Sequence, residues 1–356
     1  MRTFSILCAF LGFCFITCTF NKKDYIKINW EDTCTLGMRV LNDTSLFKYP
    51  RQMECFDTIL IVMDDVDSHF LHLYNTVDGS LIQNFARKGQ GPGELLSAER
   101  FHLSVDKKKL SVYDIMSNKI VTYKIDSILL GKMVCEEFRV EYGKLLDNKM
   151  PTIVYDMIPY NDSLYIVKAN NDNMRYGLFS SKNDDISILY TSYIMDGFDY
   201  NSKDEVWSVF SSNTSTFIKP DRTRLVNATK IGAILEIFDI NAEELNMSSK
   251  HNMFLYEPIY GIAEGAKPVF VVSNENTLLG FENIYVTDNY IYALLYDSDV
   301  KMYPKSISIF DWDCKPIKKI YLDKSVRKLC VDEVNRKIYL LAISEENCYE
   351  LNVLYY

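Results

Sequence analysis

An aspartate stands in a short turn just ahead of an apolar run at six places along the 356-residue chain. They are Asp57, Asp106, Asp162, Asp221, Asp288 and Asp332, at intervals of 49, 56, 59, 67 and 44 residues. The runs that follow, such as Thr58-Ile59-Leu60, Leu110-Ser111-Val112-Tyr113 and Leu164-Tyr165-Ile166-Val167, have strand-like composition. A recurrence at this period marks a chain of like units, none of which can bury its own faces alone. In four units an Asp or Asn also ends one strand, and an aliphatic residue begins the next six positions later. The pairs are Asn75 to Leu81, Asp114 to Ile120, Asp239 to Leu245 and Asp311 to Ile317. Asp and Asn suit such corners because their side chains bond nearby backbone and tolerate left-handed geometry. The series therefore reads as turn chemistry, not catalysis. Aromatic residues make up 13 %, which favours strands, and no stretch holds helical periodicity for long.

Six units of roughly 45–65 residues with three or four strands each predict an all-β fold, a six-bladed β-propeller over residues 49–356. The last unit shows Val326–Val331, Lys337–Leu341 and Tyr349–Leu354, with no fourth strand before Tyr356. An N-terminal strand within Asp24–Thr35 is expected to supply it and close the ring, in a segment 18–48 that joins the propeller to the front of the chain.

That front reads as an address. Arg2 is followed by thirteen uncharged residues, Phe4 to Ile16, too few for a membrane-spanning helix. The run ends in Phe15-Ile16-Thr17-Cys18 and turns polar at Asn21-Lys22-Lys23-Asp24. It resembles a bacterial lipoprotein signal, 1–17, cleaved before a cysteine that is then lipidated, although Phe15 and Thr17 depart from that pattern's usual Leu and small residue. Acyl chains on Cys18 would hold the domain at a membrane, since each buried CH₂ contributes about 0.8 kcal/mol. An ordinary cleaved leader is the competing reading. The residues after Cys18 lack the acidic cluster resembling a surface-export signal, which places the expected anchor on the periplasmic side of an outer membrane.

Six further cysteines, Cys34, Cys55, Cys135, Cys314, Cys330 and Cys348, show no metal-ligand spacing. They are expected to be mostly buried thiols with at most one bridge. Lys and Arg number 39 against 48 Asp and Glu, a net charge of −9, which argues against a nucleic-acid partner.

The most distinctive local stretch is Arg87-Lys88-Gly89-Gln90-Gly91-Pro92-Gly93-Glu94. Gly89, Gly91 and Gly93 permit a loop with positive φ more than once. The spacing fits neither a dinucleotide fingerprint nor a phosphate loop. The meander order puts the ends of a blade's second and fourth strands on one side. Asp64, Asp65 and Asp67 should therefore face the same way as Gly89, Gly91, Gly93 and Glu94. These seven are the candidate ligand-face residues. The carboxylates offer oxygen of the kind hard cations take, but the spacing is not that of a calcium loop, so no metal is assigned. His69 and His72, three apart on a strand, point to opposite faces. H-E-x-x-H, G-x-S-x-G and S-x-x-K are all missing.

The run Met63-Asp64-Asp65-Val66-Asp67-Ser68-His69-Phe70-Leu71-His72-Leu73-Tyr74, followed by Gly89-Gln90-Gly91-Pro92-Gly93-Glu94, resembles the TolB-like six-bladed β-propeller lipoproteins of Bacteroidota. The Gly-x-Gly-Pro-Gly signature is also similar to the inter-blade loop of NHL-repeat propellers. The resemblance implies a six-bladed ring on a lipid anchor and brings no established reaction. The expected function is a non-catalytic binding or scaffold propeller of the cell envelope. It would take an unknown protein, small-molecule or glycan ligand and need no cofactor. The alternative is a metal-dependent hydrolase with its site at the central channel.

Overall fold

The structure is a computed structural model. It describes residues 26–42, 47–140, 153–171, 174–183, 185–193, 202–241, 243–244, 246–263, 265, 270–296 and 303–356. The leader 1–17 and Cys18 lie outside the described residues.

Six antiparallel sheets follow one another around a ring. Blade one is the meander Pro50–Phe56, Ile59–Val66, His69–Asn75 and Leu81–Arg87. Blade two is Phe101–Leu103, Lys109–Asp114, Lys119–Lys124 and Cys135–Arg139. Blade three is Ile153–Pro159, Leu164–Asn171, Met174–Ser180 and Asp185–Tyr190. Blade four is Thr214–Ile218, Arg224–Thr229, Ile234–Asn241 and Asn246–Phe254. Blade five is Phe281–Val286, Tyr290–Leu295, Ser306–Asp311 and Pro316–Leu322. Blade six takes Val326–Asp332, Lys337–Ile343 and Tyr349–Tyr355 from the end of the chain. Each of the six sequence aspartates marks the corner between a blade's first and second strands. The chemistry is the one expected there: Asp57 takes φ 49°, and Asp221 Oδ1 accepts the Thr223 amide at 2.9 Å.

Ring closure by an N-terminal strand is borne out, but its place differs from the Asp24–Thr35 window. Arg39–Asn42 pairs antiparallel with Tyr349–Tyr355 and completes blade six. Thr33–Leu36, which begins within that window, instead lies parallel to Pro316–Leu322 as a fifth strand on blade five. Farther forward, the Ile26 amide donates to the Phe254 carbonyl of blade four at 2.8 Å, and Trp30 packs on Phe310 with ring centroids 5.4 Å apart. The front of the chain is thus a strap over three successive blades. Two four-residue strands separated by Gly37-Met38 leave too short an alternation to be read from sequence.

Apolar clusters fill the seams between blades, as units that cannot bury their faces alone require. One cluster joins blades one and two through Ile61, Leu71, Phe85, Phe101 and Val112. Another, around Leu60, Leu294, Leu329, Leu340 and Val353, joins blades five, six and one, with Leu36 and Leu41 of the strap packed against it. Polar bonds tie the inner strands. The Gln52 side chain donates to the Phe101 carbonyl at 2.7 Å and accepts the Phe101 amide at 3.0 Å. Tyr285 of blade five donates its hydroxyl to Glu54 of blade one. The six described cysteines are free thiols; Cys55 and Cys330 are buried, and Cys348 is exposed.

Before blade four the chain makes two short turns of helix, Lys203–Trp207 and the wider π-type turn Ser208–Ser212. They deliver Ser211 to Thr214 to the axis of the ring.

Candidate functional site

The two loops of blade one meet as the meander order predicts. Lys88 Nζ donates to the Asp67 carbonyl at 2.8 Å and pairs with the Asp65 carboxylate. Their polar groups, however, are engaged by the protein itself. Asp64 is fully buried and accepts the amides of Lys48 at 2.8 Å and Tyr49 at 2.6 Å. Burial pushes its carboxyl above the ordinary value, with the Tyr49 and Lys48 amides opposing. Asp67 is exposed and reaches Lys48 at 3.7 Å. Glu94 folds back to accept the Gly91 amide at 2.9 Å. The Gly93 amide donates to Glu137 at 3.1 Å, and its carbonyl accepts the buried Tyr123 hydroxyl at 2.8 Å. The glycine loop therefore locks blade one onto blade two.

Gly93 has φ 70°, and a Cβ there would lie 2.5 Å from Cys135 Sγ. Gly93→Ala is accordingly expected to lower stability by about 2 kcal/mol, from left-handed strain plus displacement of that sulfur. A urea melt within 0.5 kcal/mol (roughly the scatter for a surface substitution) would show that the loop does not hold the seam.

A larger feature lies beside these loops. A cavity of about 490 Å³ opens at the axis, on the side where the first strands of the blades begin, and every blade contributes to its wall. Arg51 links the two features: it reaches Asp65 at 4.0 Å and pairs with Glu99 at the rim. Six cationic side chains line the cavity: Arg51, Arg100, Lys168, Lys230, Arg327 and Lys328. Three carboxylates face them, Glu99, Asp156 and Glu282. Six against three is a formal excess of three positive side chains at one mouth of a chain whose formal net charge is −9.

The carboxylates are buried or bonded. Asp156 accepts the His102 ring N–H at 2.9 Å, both groups being buried. Burial would raise its carboxyl, but His102, Arg100 and Lys168 hold it below the ordinary value. Lys168 is 2 % exposed and donates to Thr216 Oγ1 at 2.8 Å and to Thr214 Oγ1. Burial drives its ammonium well down, and Arg100 adds to this. Glu282 stands among Lys230 at 3.0 Å, Arg327 at 3.8 Å and Lys328 at 3.9 Å, and accepts the Tyr296 hydroxyl at 3.0 Å. Burial pushes Lys328 down to about 8, with Glu282 opposing and Arg327 and Lys230 reinforcing. Among the described residues no three His, Cys, Asp or Glu side chains gather as a metal-ligand set.

This cluster was not among the sequence candidates, because its members come from strand ends tens of residues apart. One signal was present: a charge inside an apolar run, as with Lys168 in Leu164–Ala169, or paired at the start of a unit, as with Arg327-Lys328.

A family model described as TolB-like 6-blade propeller-like matches residues 29–334. No curated protein matches the chain in sequence. Among solved structures, a Bacteroides fragilis protein named as exported aligns with TM-score 0.56 at 13 % identity, over 94 % of this chain and 98 % of that one. A member of the duf4221 family from Bacteroides vulgatus aligns with TM-score 0.53 at 12 % identity, over 90 % and 96 %. An auxiliary nutrient binding protein from Bacteroides thetaiotaomicron gives TM-score 0.51 at 9 % identity, over 87 % of this chain and 70 % of that one. At such identities these likenesses are of fold. The family match spans most of the chain and coincides with six observed blades, so the chain belongs to the TolB-like six-bladed propeller family.

Proposed function

We propose that this chain is a ligand-binding propeller of the cell envelope. Lipid on Cys18 would hold it to the outer membrane, probed ligands entering at the channel mouth. The observation that carries the reading is the axial cavity of about 490 Å³, walled by all six blades and polar in its lining. Its size is that of a small-molecule site, and concave sites with a few convergent polar groups are where ligands bind. The leader 1–17 supports the address. So do the names of two fold relatives, one an exported protein and one an auxiliary nutrient binding protein. A positive mouth disfavours a divalent cation, which weighs against the hydrolase alternative.

The test is a thermal-shift screen of small metabolites and sugars on the full chain, repeated on Ser215→Trp. Ser215 lines the mouth half-exposed, and an indole there would fill it. Hits are expected to raise the melting temperature of the wild type, by about 2.7 kcal/mol of stabilisation at a hundredfold excess over Kd, and not that of the variant. Hits that stabilise both proteins equally would place binding elsewhere. Turnover of a hit with stoichiometric bound metal would favour the hydrolase.

A further inference from the structure

The charge arrangement at the mouth is unfavourable for an empty protein. Arg327, Lys328 and Lys230 share one carboxylate, Glu282, and the closest of the three contacts is with the most exposed partner, Lys230 at 3.0 Å. The Lys328 side chain is 11 % exposed, and its ammonium meets Glu282 at ion-pair distance, 3.9 Å. The buried Arg327 Nε also lacks a hydrogen-bond partner, although its Nη1 donates to the hydroxyls of Tyr303 at 3.0 Å and Tyr349. An ammonium largely withdrawn from water that shares its one carboxylate with two other cations is under-compensated, because desolvation and like charges both oppose it. Local arrangements that cost stability without a structural return concentrate at functional sites.

The wall on the far side adds to this. Arg100 donates to the Thr214 carbonyl at 2.7 Å, next to Lys168 and Asp156. Positive groups thus approach the cavity from blades three, four and six and from the link between blades one and two, so a ligand can be held from more than one side.

We infer that the ligand of this mouth is a small multivalent oxyanion, a molecule carrying at least two carboxylate or phosphate-type groups. It would engage Lys328, Arg327 and Lys230 on one wall and Arg100 on the other. The inference rests on the reading of the mouth as the recognition site. Charge-assisted bonds from several donors to oxyanions are the strong ones, and a single negative charge would leave the excess on one wall uncompensated.

The probes are citrate and pyrophosphate, against acetate and neutral trisaccharides, each at matched ionic strength with sodium chloride. Calorimetric titration and thermal shift are read on the wild type, Lys328→Gln, Lys230→Gln and Ser215→Trp. Citrate or pyrophosphate is expected to bind the wild type and to lose at least tenfold in affinity in Lys328→Gln and in Lys230→Gln. Binding should fall with added salt, vanish in Ser215→Trp and be absent for acetate. The unliganded Lys328→Gln protein is expected to melt no lower than the wild type. A lower melting temperature would make Lys328 a structural residue and overturn its assignment, and exposed Lys230 then still reads the charge dependence. Neutral sugars that bind the wild type but not Ser215→Trp, with no response to either polyanion, would overturn the anion assignment and leave a binding mouth standing. No probe or screened compound sensitive to Ser215→Trp would overturn both.

Discussion

A chain that starts at residue 43 is expected not to fold into a closed ring, whereas one that starts at Gly37 should fold with a clearly lowered melting temperature. The first loses the whole strap and the second only its forward part. Starting at Gly37 removes Thr33–Leu36 from blade five and Trp30 from its seat on Phe310. Trp30 is half-buried, so its loss is expected to cost less than the roughly 3–5 kcal/mol of a fully buried Trp, and the lost strand pairing adds to it. Starting at residue 43 also removes Arg39–Asn42, which leaves the backbone edge of Tyr349–Tyr355 unpaired and uncovers the cluster that Leu41 and Met38 pack against. The combined loss is of the order of a whole domain's stability, about 5–15 kcal/mol, and a bare strand edge invites aggregation. Circular dichroism melts and size-exclusion profiles of the two truncations read this directly. If the shorter chain melts like the full one, the strap is not what closes the ring.

Glu236→Gln is expected to destabilise the protein by about 3–5 kcal/mol, the usual cost of stranding one partner of a buried ion pair. Glu236 of blade four and Arg175 of blade three are each about 1 % exposed, and Arg175 Nη1 donates to Glu236 at 2.9 Å. Asn227 donates to the same carboxylate at 2.9 Å. The guanidinium lies among the rings of Tyr193, Tyr176, Phe238 and Phe210, with centroids 4.8, 5.2, 5.4 and 5.6 Å away. These rings cannot replace the full negative charge, so an amide in place of the carboxylate leaves a cation in an apolar wall. The double variant Arg175→Met, Glu236→Gln removes the stranded charge and should recover at least half of the loss. Urea midpoints of the three proteins decide the matter. A single variant within 1 kcal/mol of the wild type would mean that water reaches the pair.

Much of this architecture was legible because a turn aspartate is a local requirement. The corner after each first strand needs a side chain that tolerates a left-handed or tightly bent backbone, and that need recurs once per blade. Asp57, Asp106, Asp162, Asp221, Asp288 and Asp332 therefore counted the blades correctly. The same local logic showed that the glycine loop and the Asp64–Asp67 turn share a side. It could not show that Asp64 is buried on two backbone amides or that Gly93 is pressed against Cys135, because those partners come from other segments. The mouth was illegible for the same reason. Lys168 inside its apolar run and the Arg327-Lys328 pair hinted at it, but nothing local joins them to Lys230 until the ring brings them to one axis, and the strap strands are too short for alternation to register.

The bond between Glu54 and Tyr285 joins blade one directly to blade five. The front of the chain lies over the outer edges of blades four, five and six. One arc of the wheel is thus tied by the strap at its rim as well as at its hub, while blades two and three lie outside the strap and are joined through the glycine loop and through Phe138 on Tyr165 and Phe179. Local opening is therefore expected to begin in the arc that the strap does not cross, read as faster amide hydrogen exchange in blades two and three than in blades four to six.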